Sequence, residues 1–173
     1  MTLVGSANQI LRVDHAGERG AISIYKAQLF VSKALNRSCV PALEEMLEHE
    51  LRHHQVFESL LKARGVRHCY AIAFWALGGF ALGTVTALLG ERAIWVCTSA
   101  IESTVNAHLE HQVAFLAHSD PEALAAVESI RRDEEAHEEH AVSNGGTSGG
   151  LYRILHSTVS GVTSFAIWLS TKL

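Results

Sequence analysis

With 173 residues, 48% of them apolar, the chain is long enough for one domain with a real core. Its formal net charge of −4 leaves no electrostatic footprint for nucleic acid, and no nucleic-acid partner is expected. Cys39, Cys69 and Cys97 have no zinc-binding spacing and read as reduced thiols, whereas the 11 histidines, many within a few residues of a glutamate, mark the chemistry to be explained.

The opening "MTLVGSANQI" has no basic region followed by an apolar run, so no secretory signal or evident presequence is expected. A first helix is predicted from near Asn8 to Leu35. "NRSCVP" interrupts it, and Pro41 suits the first turn of a second helix that ends near Gly65. "CYAIAFWALGGFALGTVTALLG", Cys69 to Gly90, contains no charged residue and would reach roughly 33 Å as a helix. A third amphipathic helix follows. At "HSDPEA", Ser119 or Asp120 caps a fourth, with Pro121 and Glu122 in its first turn. "NGGTSGG" reads as a loop, and Leu151 to Leu173 is an apolar C-terminal helix. Strand-like alternation is lacking. The expectation is an all-α single domain over residues 1–173.

Steps of three and four residues along these helices trace apolar stripes, each broken by acid or imidazole. The first helix gives Leu11, Asp14, Glu18, Ile22, Tyr25 and Leu29; the second gives Leu43, Met46, Glu50, His53, Phe57 and Leu60. The third gives Trp95, Thr98, Glu102, Val105, Leu109 and Leu116; the fourth gives Ala123, Val127, Ile130, Glu134, His137 and Ala141. Four inward glutamates without cations would be prohibitive to bury, and no Arg or Lys falls on the stripes. Two divalent ions would cancel their charge, and mixed oxygen and imidazole ligands suit iron or manganese. One Glu from each of two helices with Glu-x-x-His from the other two matches the ligand pattern of ferritin-like di-metal bundles. Within "RRDEEAHEEH", only Glu134 and His137 continue the stripe. Glu135, Glu138, Glu139 and His140 default to solvent.

In order along the chain, "ILRVDHAGERGA", "MLEHELRHHQVF", "FALGTVTALLG", "IESTVNAHLEHQ", "RRDEEAHEEH" and "AIWLSTKL" resemble the Coq7 family, the demethoxyubiquinone hydroxylases of ubiquinone biosynthesis. "RVDHAGE" separates this family from ferritins and rubrerythrins. The resemblance implies a ferritin-like four-helix bundle with an apolar crossover helix between helices two and three and an apolar helix at the C-terminus. It implies a di-iron monooxygenase that uses O2 to hydroxylate the ring of demethoxyubiquinol, giving demethylubiquinol. Glu18, Glu50, His53, Glu102, Glu134 and His137 would hold two Fe ions, with Glu50 and Glu134 bridging by analogy with di-iron bundles. Asp14 and Asp133 are candidates to hold the outer N–H of a liganding His. His108 matches a family histidine and has two readings, a catalytic group near the substrate or an interior His. Where many relatives have Tyr, this chain has Arg19 and Leu109.

A single membrane crossing by Cys69 to Gly90 would put Glu50 and His53 on the opposite side from Glu102, so the segment must return the chain to the same side. It packs within the protein or a homo-oligomer, or lies in a membrane surface with Leu151 to Leu173 beside it. Trp75, Trp95, Trp168 and Tyr152 are candidate interfacial anchors. The expected partners are a polyprenyl quinol, O2, the membrane surface and other ubiquinone-biosynthesis proteins. The expected location is peripheral on the inner membrane, matrix side in a eukaryote or cytoplasmic side in a bacterium. An iron-storage ferroxidase and a membrane-bound assembly factor remain as alternatives.

Overall fold

The structure, a computed structural model, describes residues 6–147 and 149–173. The described residues form six helices: α1 (Ala7–Ala34), α2 (Val40–Ala63), α3 (Ile72–Leu89), α4 (Glu91–Leu116), α5 (Pro121–Ser143) and α6 (Leu151–Ser170). The predicted punctuation holds. The Ser6 hydroxyl accepts from Gln9 N at 3.2 Å to cap α1, and Pro41 sits in the first turn of α2. Asp120, not Ser119, caps α5: its Oδ1 accepts from Ala123 N at 3.0 Å. Gly90, at φ 111 and ψ 171, is the single residue between α3 and α4 and occupies backbone space that only glycine tolerates.

Helices α1, α2, α4 and α5 form the bundle, with α1 against α2 and α4 against α5. Helix α2 buries one stripe, Leu43, Met46, Glu50, His53, Phe57 and Leu61. Leu61 therefore takes the inward place expected for Leu60, which is only partly buried, because a helix of 3.6 residues per turn drifts off a fixed step of three or four. Helices α1 and α4 bury residues on two sides, since their outer faces are covered by α3 and α6.

Helix α3 has no polar side to orient it, and its glycines choose its packing face. A Cβ on Gly79 would stand 2.5 Å from the carbonyl oxygen of Gly20, and one on Gly83 would collide with the carbonyl of Ile24. The α1 and α3 backbones thus approach closely, and Gln28 Nε2 donates to Thr86 Oγ1 at 3.1 Å across the buried seam. The α1–α2 turn grips the corner between α3 and α4. Arg37 donates to the carbonyl of Ala87, and Ser38 N and Oγ each lie 2.9 Å from a Glu91 carboxylate oxygen. Helix α6 joins the same side: Val159 packs with Ile24, Cys97, Ala100 and Ile101, and Leu82 of α3 closes on that cluster.

The crossover is therefore a helix along the outside of the bundle, which returns α4 to the level of α1 and α2. By length and composition α3 is long and apolar enough to cross a membrane, yet only 17% of it is buried. Phe74, Leu77, Phe80, Leu88 and Leu89 of α3 are exposed, as are Leu151, Ile154, Val162 and Phe165 of α6. Trp168 also reaches solvent, whereas Trp95 is a core residue between α1, α2 and α5 and no surface anchor.

Candidate metal centre

The six candidate ligands converge in the middle of the bundle. All are buried, Glu18 being the most exposed at 8%. Below them lies an apolar cluster that includes Leu11, Phe57, Leu116, Val127 and Ile130; above them lies another with Tyr25, Leu43, Met46, Ile94 and Trp95. The carboxylates and imidazoles thus occupy a polar layer between two dry ones.

Two groups of potential ligand atoms form within that layer. One comprises Glu18, Glu50, His53 and Glu134, the other Glu50, Glu102, Glu134 and His137, and the atoms of each lie within 4.8 Å of one another. Glu50 and Glu134 belong to both groups, the placement expected of bridging residues. His53 Nδ1 lies 3.1 Å from Glu134 Oε1 and 3.7 Å from Glu18 Oε2. His137 Nδ1 lies 3.3 Å from Glu134 Oε2 and 3.6 Å from Glu50 Oε1. Nevertheless Glu50 Oε1, Glu134 Oε2 and both Nδ1 atoms make no aligned hydrogen bond. Buried polar atoms normally find partners. Here their lone pairs converge on shared space, which fits a pair of cations.

The electrostatics agree. Burial pushes the carboxyls of Glu18, Glu50 and Glu102 well above their usual range, and the neighbouring carboxylates add to it. Burial acts the same way on Glu134, but the adjacent imidazoles of His137 and His53 outweigh it and hold Glu134 well below that range. Burial alone would lower His53; Glu134, Glu50 and Asp133 lift it to about 9. Among the described residues no Lys or Arg pairs with the four glutamates. The metal-free site thus relies on bound protons for the charge balance that two divalent ions would supply.

Neighbours hold the ring nitrogens that face away from this space. Asp133 Oδ2 lies 3.0 Å from His53 Nε2, the role expected of it. Asp14 does not do this for His137. It sits one turn before Glu18, accepts from Gln112 Nε2 at 2.7 Å, and is raised by burial to about 7. The partner of His137 Nε2 is instead His49 Nδ1 at 3.1 Å. Tyr25 donates to Glu102 Oε1 at 3.0 Å. His15, in "DHAGE", is buried away from the ligand atoms, with Nε2 2.9 Å from Glu58 Oε2. His108 lies further along α4, half-buried and outside both ligand groups; burial, then His111, lowers its imidazole. Glu135 pairs with Arg131 on the wet face, whereas Glu138 accepts from Asn106 at 2.8 Å.

Four helices thus bring four carboxylates and two imidazoles into one buried layer, a donor set that could hold metal ions. The chain belongs to the COQ7 family: the model described as "Ubiquinone biosynthesis protein COQ7" matches residues 6–170. It is 34% identical to the 3-demethoxyubiquinol 3-hydroxylase of Rhodospirillum rubrum, over 96% of this chain and 78% of that protein. It is also 34% identical to the mitochondrial NADPH-dependent 3-demethoxyubiquinone 3-hydroxylase of Mus musculus, with the same coverage. Identity to the mitochondrial 5-demethoxyubiquinone hydroxylase of Saccharomyces cerevisiae is 28%, over 96% of this chain.

Proposed function

We propose that the protein is a di-iron monooxygenase of ubiquinone biosynthesis that hydroxylates the ring of demethoxyubiquinol with O2. The observation that carries this reading is the pair of buried ligand groups sharing Glu50 and Glu134, in a chain of the COQ7 family. Glu18, Glu50, His53 and Glu134 would hold one iron, and Glu50, Glu102, Glu134 and His137 the other. When bound, the iron pair supplies the redox chemistry that activates O2. The chain supplies the rest. Its two apolar clusters exclude water from the layer, Asp133 orients His53, and Tyr25 fixes the Glu102 carboxylate by its hydrogen bond. His108, whose imidazole is lowered by burial and by His111, would act near the substrate or in proton transfer; His108→Ala is expected to lower turnover with metal content unchanged.

The exposed apolar side chains of α3 and α6 support attachment to a membrane surface, where a polyprenyl quinol resides. The location that follows is the inner membrane, on its matrix side in a eukaryote and its cytoplasmic side in a bacterium. Other ubiquinone-biosynthesis proteins or a second copy of the chain are further partners for that face. A ferroxidase would share the ligands but has no use for this exposed face.

The test is complementation of cells that accumulate demethoxyubiquinone, combined with iron analysis. The wild-type chain is expected to restore ubiquinone and to carry about two irons per chain, the number its two ligand groups accommodate. Glu50→Ala is expected to lose both. Full rescue by Glu50→Ala, or well-folded active protein with substoichiometric metal, would sink the reading.

A further inference from the structure

One sequence offset relates Glu18 to Glu102, Glu50 to Glu134 and His53 to His137, so α1–α2 and α4–α5 carry the same ligand spacing twice. The offset extends to the side chains that touch the ligands. His49, the residue before Glu50, corresponds to Asp133, the residue before Glu134. Each reaches across the α2–α5 interface to the other helix's histidine: Asp133 Oδ2 to His53 Nε2 at 3.0 Å, and His49 Nδ1 to His137 Nε2 at 3.1 Å. The His49 and His137 rings lie within 23° of parallel with centroids 5.1 Å apart, and the two facing nitrogens are within hydrogen-bond distance. Equivalent positions thus do the same work with different chemistry, a carboxylate in one half and an imidazole in the other.

A second difference falls at the same end. Tyr25, one ligand stripe beyond Glu18, corresponds to Leu109 beyond Glu102. Tyr25 crosses to donate to Glu102 Oε1 at 3.0 Å, whereas Leu109 has no hydrogen to donate.

These contacts have opposite effects on donor strength. Nδ1 of each liganding ring is turned to the metal space; with a metal ion bound there, Nε2 would carry the proton. Donation of that proton to a carboxylate loads the ring with electron density and makes it a stronger ligand. A neutral imidazole acceptor does so much less. Donation by Tyr25 draws density from Glu102 and weakens it further.

We infer that His49 is the positioning residue for His137, and that the two metal positions are unequal, the Glu18–Glu50–His53–Glu134 group binding a divalent cation more tightly than the Glu50–Glu102–Glu134–His137 group. This inference rests on the proposed metal centre, and its test separates the two.

Full-length protein is stripped with chelator and titrated anaerobically with Co2+, followed by calorimetry and visible absorption. Wild type is expected to fill in two steps about tenfold or more apart, in the range that outer partners of a liganding His control. His49→Asp copies the group that Asp133 presents from the equivalent position. It is expected to tighten the second step about tenfold and leave the first within about twofold. Asp133→His is expected to loosen the first step instead, which identifies the position filled in each. Thermal unfolding of the metal-free variants checks that each is folded; the conservative His49→Gln is the replacement if His49→Asp is not, and it is expected to preserve two unequal steps. A single step in wild type overturns the inference while the metal centre stands. So does a folded His49→Asp variant with the second step unmoved, or an Asp133→His variant with the first unmoved. Failure of the wild-type protein to bind Co2+ overturns the metal centre itself.

Discussion

At the scale of single residues, the bundle interior is a set of groups held away from their ordinary protonation states, and Asp14 gives this a measurable consequence. Burial raises Asp14 to about 7, against 3.8 for the free side chain. Between these values the folded state holds a proton that the unfolded chain has released, so stability falls as pH rises across the window. Above about pH 7 the loss is complete and amounts to roughly 4 kcal/mol. Asp14→Asn keeps an oxygen to accept from Gln112 and removes the ionisation. In metal-free protein, the fall in urea-unfolding free energy from pH 5 to pH 8 is expected to be smaller in the variant by roughly 2–3 kcal/mol. An equal fall in both proteins would show that Asp14 does not titrate in this window. The six candidate ligands were legible in the sequence because Glu and His interrupt apolar stripes, and an acid on a buried line requires a partner. His49 was not legible. It lies beside the α2 stripe, and its role appears only when α5 is brought against α2. The sequence offers Asp14 as a candidate to hold a liganding imidazole, but its place on α1 turns it to Gln112 of α4.

At the scale of elements, helical phase determines what sequence alone reveals. Helices α1, α2, α4 and α5 advertise their inward faces through periodicity, whereas α3 is apolar all round and gives no direction. Its packing is set by Gly79 and Gly83, whose missing side chains admit the α1 backbone. Gly83→Ala would push a methyl into the Ile24 carbonyl and against Ala27, neither of which is a flexible side-chain end. Overpacking of this kind is expected to destabilise by about 1–3 kcal/mol. Gly78→Ala is the internal control: nothing lies within 4 Å of its Cβ. That substitution is expected to raise stability by about 0.5–1 kcal/mol through helix propensity. Thermal unfolding of the two variants should therefore move in opposite directions; a shared direction would show that α3 does not lie against α1 by this face. A second restraint acts at the bundle's end. Arg64, at the close of α2, bonds Asp120 at 2.5 and 3.1 Å and Glu122 at 2.6 Å, tying α2 to the capped start of α5. Because Asp120 is itself the α5 cap, Arg64→Ala is expected to cost about 1–3 kcal/mol in urea unfolding, more than an isolated surface pair. A loss below about 0.5 kcal/mol would class it with ordinary surface ion pairs.

At the scale of the whole molecule, most of the exposed large apolar side chains lie on one side, on α3 and α6. The α2 and α5 side carries charged faces, the α1–α4 layer lies within, and α3 with α6 presents large apolar side chains outward, Leu77 at 70% and Leu151 at 83% exposed. An exposed face of this kind calls for a cover. It packs against α1 and α4, which carry Glu18 and Glu102, so the face lies one helix layer from the candidate centre. If the face lies on a bilayer, replacing Phe74, Leu77 and Phe165 with Glu removes three exposed apolar side chains, each contributing on the order of 1–2 kcal/mol to partitioning. The triple variant is expected to lose at least about tenfold in co-sedimentation with phosphatidylcholine–cardiolipin vesicles. Its helix content and metal content should be unchanged, since none of the three residues belongs to a core cluster or a ligand group. Wild-type protein that remains in the supernatant with vesicles present, or a triple variant that sediments as wild type does, would remove the bilayer from the account and leave a protein surface as the cover. The two covers also differ in stoichiometry: vesicle binding saturates with lipid area and is independent of chain concentration, whereas self-association through α3 and α6 grows with chain concentration in the absence of lipid.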